Sequence, residues 1–255
     1  MRRQVLPDPV RGTHPGLLLS YYLSTDDAAA KAGLMKQAID ALRAILPLYR
    51  HAYDRWKANT APGSGAARSE KVAAVRHRMA LGLGRESVVE TGVALHHTYG
   101  TPILPGSALK GLAAHYCHQV WGSANGDFLQ APAGRNFRVL FGDIEDAGHI
   151  VFHDAWVEPD SLLKSLQLDV MTPHHTQYNI DGSAPPSDLD DPIPVPFLSV
   201  CGKFRIVVEC DVGNTEGQKW ADLALAILTE ALKHWGVGGK TSSGYGRFDC
   251  HERTS

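Results

Sequence analysis

The segment Gly236-Val-Gly-Gly-Lys-Thr-Ser-Ser-Gly-Tyr-Gly246 places five glycines in eleven residues, with one lysine and three aliphatic hydroxyls among them. So many glycines free the backbone to turn and let another backbone approach closely. An amphipathic pattern runs into it and a strand-like stretch follows, so it reads as a helix-to-strand connection. Exposed N–H groups on Gly238, Gly239, Thr241 and Ser242, beside Lys240, suit a phosphate. A Walker A loop is excluded by register. That motif needs a glycine five residues before Gly239, where the chain has His234, and it opens a helix after a strand rather than closing one. The alternative is a plain turn without a ligand, although five glycines plus Lys240 exceed what a turn requires.

Periodicity around this segment supplies the frame. Trp220, Leu223, Ala224, Ile227, Leu228, Ala231, Leu232 and Trp235 define a helix over about 216–235, with Gly236 placed to end it. Residues 202–212 alternate as a strand, and 245–251 form a short one. Upstream, 72–83 reads as a strand, 106–121 as a helix capped by Ser107, and 149–157 as a strand. The order is strand, helix, strand, strand, helix, strand. That is the split βαβ, ferredoxin-like arrangement, an α+β class that RNA-recognition modules also use.

Two regions lie outside that frame. Residues 26–57 predict a long helix with Thr25 as N-cap and an apolar stripe from Leu34 to Trp56; Pro47 is expected to kink or divide it. The Gly/Ser/Ala-rich run after it reads as a flexible linker. The expected organisation is therefore an N-terminal helical extension (1–58), a linker (59–70) and a main domain (71–255). Within the last, 158–200 reads as a long extended Pro/Asp-rich insertion rather than packed secondary structure, because six of the fifteen prolines fall between Pro173 and Pro196.

Composition narrows the classes. The chain is 44% hydrophobic and 20% charged, ordinary for a soluble globular protein. It has no apolar run long enough for a bilayer and no secretory-type start, so a cytoplasmic setting with no membrane partner is expected. Four scattered cysteines without a C-x-x-C pair read as reduced thiols. With a formal net charge of −2, nucleic acid would have to meet a local patch, or an assembly that supplies the charge.

A second glycine-containing element, Gly100-Thr-Pro-Ile-Leu-Pro-Gly-Ser-Ala-Leu-Lys-Gly111, delivers a helix N-terminus with Ser107 and Lys110 after a proline-stiffened approach, an arrangement suited to an anion. Its plain alternative is a capped core helix with a solvated lysine. Arg85, between Gly84 and Glu86, is a further anion candidate, and Tyr99 or Tyr245 could stack on a base. The thirteen histidines show no zinc-type spacing; His115 and His118 share a helix face but lack a matched second half. No metal or cofactor is expected. His174 and His175, with Tyr178, leave open metal-independent RNA cleavage by acid–base chemistry.

Taken together, the two glycine elements resemble the RAMP superfamily of CRISPR-associated proteins. More narrowly, Gly82-Leu-Gly-Arg-Glu-Ser87, Leu95-His-His-Thr-Tyr-Gly100, Asp169-Val-Met-Thr-Pro-His174 and Pro194-Val-Pro-Phe-Leu198 resemble the family of sixth subunits of type III-B (Cmr) effector complexes. The resemblance covers about 80–248. It implies a ferredoxin-like (RRM-like) RAMP domain and a non-catalytic subunit. Such a subunit holds CRISPR RNA near its 3′ end and supports target RNA binding beside other Cmr RAMP subunits. Ser107, Lys110, Gly238, Gly239, Lys240, Thr241, Ser242 and Arg85 are the residues expected at RNA. The alternatives are a RAMP endoribonuclease that processes guide precursors, and a scaffold that contacts only protein.

Overall fold

The computed structural model describes residues 6–10, 12–61, 65–132, 134–172 and 194–250. Its centre is β7 (Lys203–Cys210), paired antiparallel with β1 (Ala67–Val75) from Ala67 opposite Cys210 to Ala74 opposite Lys203. The far edge of β1 carries β8 (Phe248–Asp249). On the other edge of β7 lie β3 (Ile150–Phe152) and β4 (Ala155–Val157), and β4 in turn pairs with β2 (Ile103–Leu104). The protein is thus a mixed α/β chain built on an antiparallel sheet.

Two helices cover one face of this sheet. They are α3 (Gly106–Tyr116), which continues through a π-turn at Cys117–Trp121, and α5 (Thr215–His234). The alternation read in the sequence of β7 explains the contact: Phe204, Ile206, Val208 and Cys210 share a core with Leu109, Ala113, Ala224, Ile227, Leu228 and Ala231. Full burial of each large aliphatic or aromatic side chain contributes about 1.5–3 kcal/mol. Trp121 Nε1 donates to Glu230 (3.0 Å), and Tyr116 meets Trp235 edge-on at 5.0 Å. Increasing number on one helix thus matches decreasing number on the other. The helices are antiparallel, and the start of α3 lies at the same end as the finish of α5.

The expected strand over 149–157 is two strands. Phe152 is opposite Val208 and Trp156 opposite Arg205, so three residues of one strand face two of the other. This β-bulge turns the chain at His153-Asp154. Asp154 thereby reaches α3, where its carboxylate accepts from the Gly106 N–H at 2.7 Å. Helix α3 also starts differently from the sequence expectation. Pro105 is its N-cap and Ser107 lies exposed within its first turn, because a distant carboxylate supplies the cap. Gly106 is dictated by packing: a Cβ there would lie 2.0 Å from the Phe152 carbonyl oxygen. Gly106→Ala is accordingly expected to lift α3 from β3 and destabilise by about 1–3 kcal/mol. Urea denaturation would read this, and an unchanged midpoint would contradict the close packing.

The N-terminal helix α2 (Ala28–Asn59) is unbroken despite Pro47. Pro47 and Arg43 both lie on its exposed side, so the carbonyl released by the missing N–H faces water. Leu42, Ile45, Tyr49 and Tyr53 are anchored in the main core on both sides of it. Asp27, rather than Thr25, is the N-cap, accepting from Ala30 N–H. A short helix, α1 (Pro15–Tyr21), packs on α2 through Leu18, Leu19, Leu34 and Met35. The connection after α2 is shorter than the expected 59–70 linker, since pairing with β7 starts β1 at Ala67.

The described ends of the 158–200 segment carry more secondary structure than the sequence expectation. A 3₁₀ turn at Leu162–Lys164 leads into β5 (Leu166–Met171), paired antiparallel with β6 (Val195–Val200). Leu162, Leu166, Phe197, Leu198 and Val200 are buried, which is what packs the two ends of the insertion. Its middle, 173–193, lies outside the described residues. All four cysteines are free, and burial pushes the Cys117 thiol up to about 12.

Candidate nucleic-acid interface

The glycine-rich segment leaves α5 at Gly236 and folds back on the chain at 78–81. Gly239 N–H donates to Ala80 O (2.8 Å), Gly246 N–H to Arg78 O (2.8 Å), and Val237 N–H to Gly246 O (2.9 Å). The glycines serve this close packing. Gly246 has φ +74°, and a Cβ on it would lie 2.0 Å from the Val237 carbonyl oxygen. Of the amides expected to face a phosphate, that of Gly239 is therefore engaged within the chain. Ser243, Gly244 and Tyr245 N–H groups close the turn onto Lys240 O and Thr241 O. What remains presented is the tip: exposed Gly238, Lys240, Ser242, Ser243 and Gly244, with Thr241 half-buried. Lys240 holds φ +59°, the left-handed region, at a cost of about 1–2 kcal/mol for a residue with a side chain.

The second element is corrected at its helix terminus. The first free N–H of α3 is taken by Asp154, so this terminus is already neutralised by a carboxylate of the chain itself. Ser107 is exposed and Lys110 half-buried, and both line a groove of about 1030 Å³ between α3 and α4 (Arg135–Phe141).

A lateral ladder connects the two elements. Gly239 bridges Ala80, Ala94 N–H donates to Leu81 O at 2.9 Å, and Ile103 N–H donates to Ala94 O at 3.3 Å. Three hydrogen-bonded steps of backbone therefore join the glycine segment to the approach to α3. Lys240 stands on the exposed tip, and Lys110 lines the groove between α3 and α4. Arg85 does not join them; it lines a separate cleft against α1.

Neither candidate stacking tyrosine is free. Tyr99 packs against Trp156, His96 and Tyr49, and its hydroxyl accepts from Arg55 (3.1 Å). Tyr245 donates to Asp169 (3.0 Å) and sits 6.2 Å from the Phe197 ring, tying the glycine segment to the β5–β6 pair. His115 lies edge-on to Trp235, while His118 Nδ1 accepts from Gln130 N–H. Among the described residues no group of three His, Cys, Asp or Glu side chains is placed to hold a metal ion. His174, His175 and Tyr178 lie outside the described residues. No described helix is long and apolar enough to cross a membrane.

The sequence reading missed the polar centre beneath α2. Arg205 Nε donates to Tyr53 Oη (2.7 Å), Nη1 to Glu70 (2.9 Å), and Nη2 lies 3.1 Å from Glu158, to which Tyr53 donates at 2.7 Å. Arg205 is only 9% exposed. Burial, followed by the bond to Glu158, raises the Tyr53 hydroxyl above its ordinary range. Its one signal in the sequence is an arginine between Phe204 and Ile206 in the apolar middle of a strand. Tyr53 and Glu70 are 152 and 135 residues away from it, beyond any spacing rule.

The sequence pattern of the RAMP superfamily matches residues 63–249. The chain is 30% identical over 222 residues to the CRISPR system Cmr subunit Cmr6 of Pyrococcus furiosus, covering 67% of this chain and 64% of that protein's length. It superimposes on a chain in the cryo-EM structure of the type III-B Cmr-beta bound to cognate target RNA. There the TM-score is 0.60 and the identity 19%, over 80% of this chain and 65% of that one. The crystal structure of Cmr6 from Pyrococcus furiosus aligns at 27% identity over 73% of this chain and 99% of that chain, with a TM-score of 0.46. From the family match, which spans both glycine elements and the central sheet, the chain belongs to the RAMP superfamily.

Proposed function

We propose that this protein is a non-catalytic, RNA-binding subunit of a cytoplasmic type III-B (Cmr) CRISPR effector complex, acting in antiviral defence. In this reading it holds the CRISPR RNA near its 3′ end and supports target RNA binding next to other Cmr RAMP subunits. The observation that carries it is the backbone ladder that joins the two glycine elements, each of which carries a lysine, Lys240 on the exposed tip and Lys110 on α3. Ser107, Thr241, Ser242 and the exposed backbone of Gly238 complete that surface, with Gly239 shaping it. Lysines are point charges for phosphate, and the hydroxyls are short donors that suit backbone oxygens. A ferredoxin-like description of the main domain is supported by the strand order β8-β1-β7-β3/β4 with two antiparallel helices on one face. A chain with formal net charge −2 then functions as one wall of a channel whose remaining charge comes from neighbours. The similarity to Cmr6 supports the choice of complex.

The test is isolation of the tagged full-length chain from its native host. The expected result is recovery with several other RAMP proteins and a guide RNA of defined 3′ end. Recovery as a free protein without RNA would refute it.

A scaffold contacting only protein is the second reading. It is favoured by the engagement of the Gly239 and Gly246 amides with Ala80 and Arg78, which makes the glycine segment a structural clasp as well as a presented tip.

A further inference from the structure

Arg85 and the cleft it lines are not used by the lysine surface. The cleft has a volume of about 510 Å³, within the roughly 300–1,000 Å³ usual for small-ligand sites. One wall is α1, with Leu17, Ser20 and Tyr21; the other is the segment from Arg85 to His97. Tyr21 and Leu17 are 42% and 50% exposed, leaving flat apolar surface uncovered at the mouth.

The site is built around the arginine. A Cβ on Gly92 would lie 2.3 Å from the Gly82 carbonyl oxygen and 2.8 Å from Arg85 Cβ. Gly82, at φ +72°, has Arg85 Cδ and Nε 3.2 and 3.4 Å from where its own Cβ would be. The two glycines therefore let the stem of Arg85 lie flat on the backbone, which fixes where its charged end is held. Arg85 forms no ion pair with any described residue. His14, His96 and His97 also line the cleft, against one carboxylate, Glu86. His14 Nδ1 accepts from Gly16 N–H (3.0 Å) and His96 Nδ1 from Thr98 N–H (3.1 Å). In the neutral form each ring therefore carries its proton on Nε2; that of His14 is buried against Gly100, which leaves His96 as the ring donor. A permanent cation, the His96 ring donor, serine hydroxyls and an uncovered aromatic wall match the phosphate, sugar and ring of a nucleotide. An acidic peptide would use the cation but not the flat wall.

We infer that this cleft receives one ribonucleotide of a single-stranded RNA, its ring against Tyr21 and Leu17 and its phosphate on Arg85. The inference rests on the RNA-binding reading above. The segment Leu81–Ile103 runs from the ladder beneath the lysine surface, past the cleft, and back to the ladder, so one strand can reach both places.

The test titrates the full-length chain, and its Arg85→Ala, Tyr21→Ala and Lys240→Gly variants, with a fluorescein-labelled single-stranded RNA and separately with AMP. The RNA titrations are followed by ultraviolet crosslinking and peptide mapping. All three positions are exposed, and matching far-ultraviolet spectra would verify the folds. The expected result is about a tenfold weaker RNA affinity for Arg85→Ala and for Tyr21→Ala, with crosslinks in α1 or 85–97. RNA binding that falls only with Lys240→Gly, with no crosslink at the cleft, would overturn the nucleotide cleft and leave the RNA reading standing. If the wild type binds no RNA but binds AMP in a manner lost with Arg85→Ala, the RNA reading fails and the cleft is a free-nucleotide site, contrary to the source inferred here. Binding of neither ligand overturns both.

Discussion

Arg205→Ala lowers the unfolding free energy by about 3–5 kcal/mol, because it leaves Glu158 at a covered site without its cation, whereas Glu70 is exposed and keeps Arg68. At about 2–4 °C per kcal/mol for a chain of this size, the melting temperature falls by about 10 °C. The arginine touches three elements at once. It bonds to Tyr53 of α2, Glu70 of β1 and Glu158 just after β4, and so fastens the N-terminal helix to the sheet. Thermal melts followed by circular dichroism would measure this. Arg205→Met combined with Glu158→Gln is expected to recover part of the loss, since it removes a charge and its opposite together. A change below about 1 kcal/mol for Arg205→Ala would show that water screens the network as it screens a surface pair.

The second large effect is on RNA. In a complex reconstituted with the Lys110→Ala/Lys240→Gly variant, guide RNA retention falls while the chain stays folded. Glycine is the informative choice at position 240. It removes the charge and adopts φ +59° without the strain that lysine tolerates, so stability is held or raised by about 1 kcal/mol. A drop in RNA binding without a drop in melting temperature separates a contact from a fold defect. Each lost phosphate contact also reduces the slope of log affinity against log salt by about 0.7 for a single strand, so the double variant should lose about 1.4. An unchanged slope would mean that neither lysine meets a phosphate.

Much of the fold was legible because it rests on local periodicity. Helix α5, its Gly236 stop and strand β7 lie where the apolar spacing puts them. What the spacing does not carry is long-range pairing. The bulge at His153-Asp154 depends on β7, and the cap it gives α3 is a carboxylate 48 residues from Gly106. Ser107 looked like the cap because serine is a good one locally; a distant acid made it unnecessary. Pro47 looked like a break because the penalty is local, whereas the packing that holds α2 together comes from the sheet. The insertion looked unstructured because its prolines are concentrated in the middle, while its apolar ends zip into β5 and β6.

The candidate site was legible as two motifs but not as a geometry. Nothing in the order of residues says that Gly239 bridges Ala80, or that Arg85 turns toward α1 instead of the lysines. The glycines proved to serve close backbone approach first, and the presented chemistry is confined to a tip of lysine and hydroxyls.

The most direct test of the central claim places a photoreactive amino acid at Ser242, on the exposed tip, in the assembled complex with radiolabelled guide RNA. The account predicts a crosslink from Ser242 to RNA that weakens with Lys110→Ala/Lys240→Gly. Crosslinks from Ser242 exclusively to neighbouring protein chains would contradict it and leave the glycine segment as a subunit clasp.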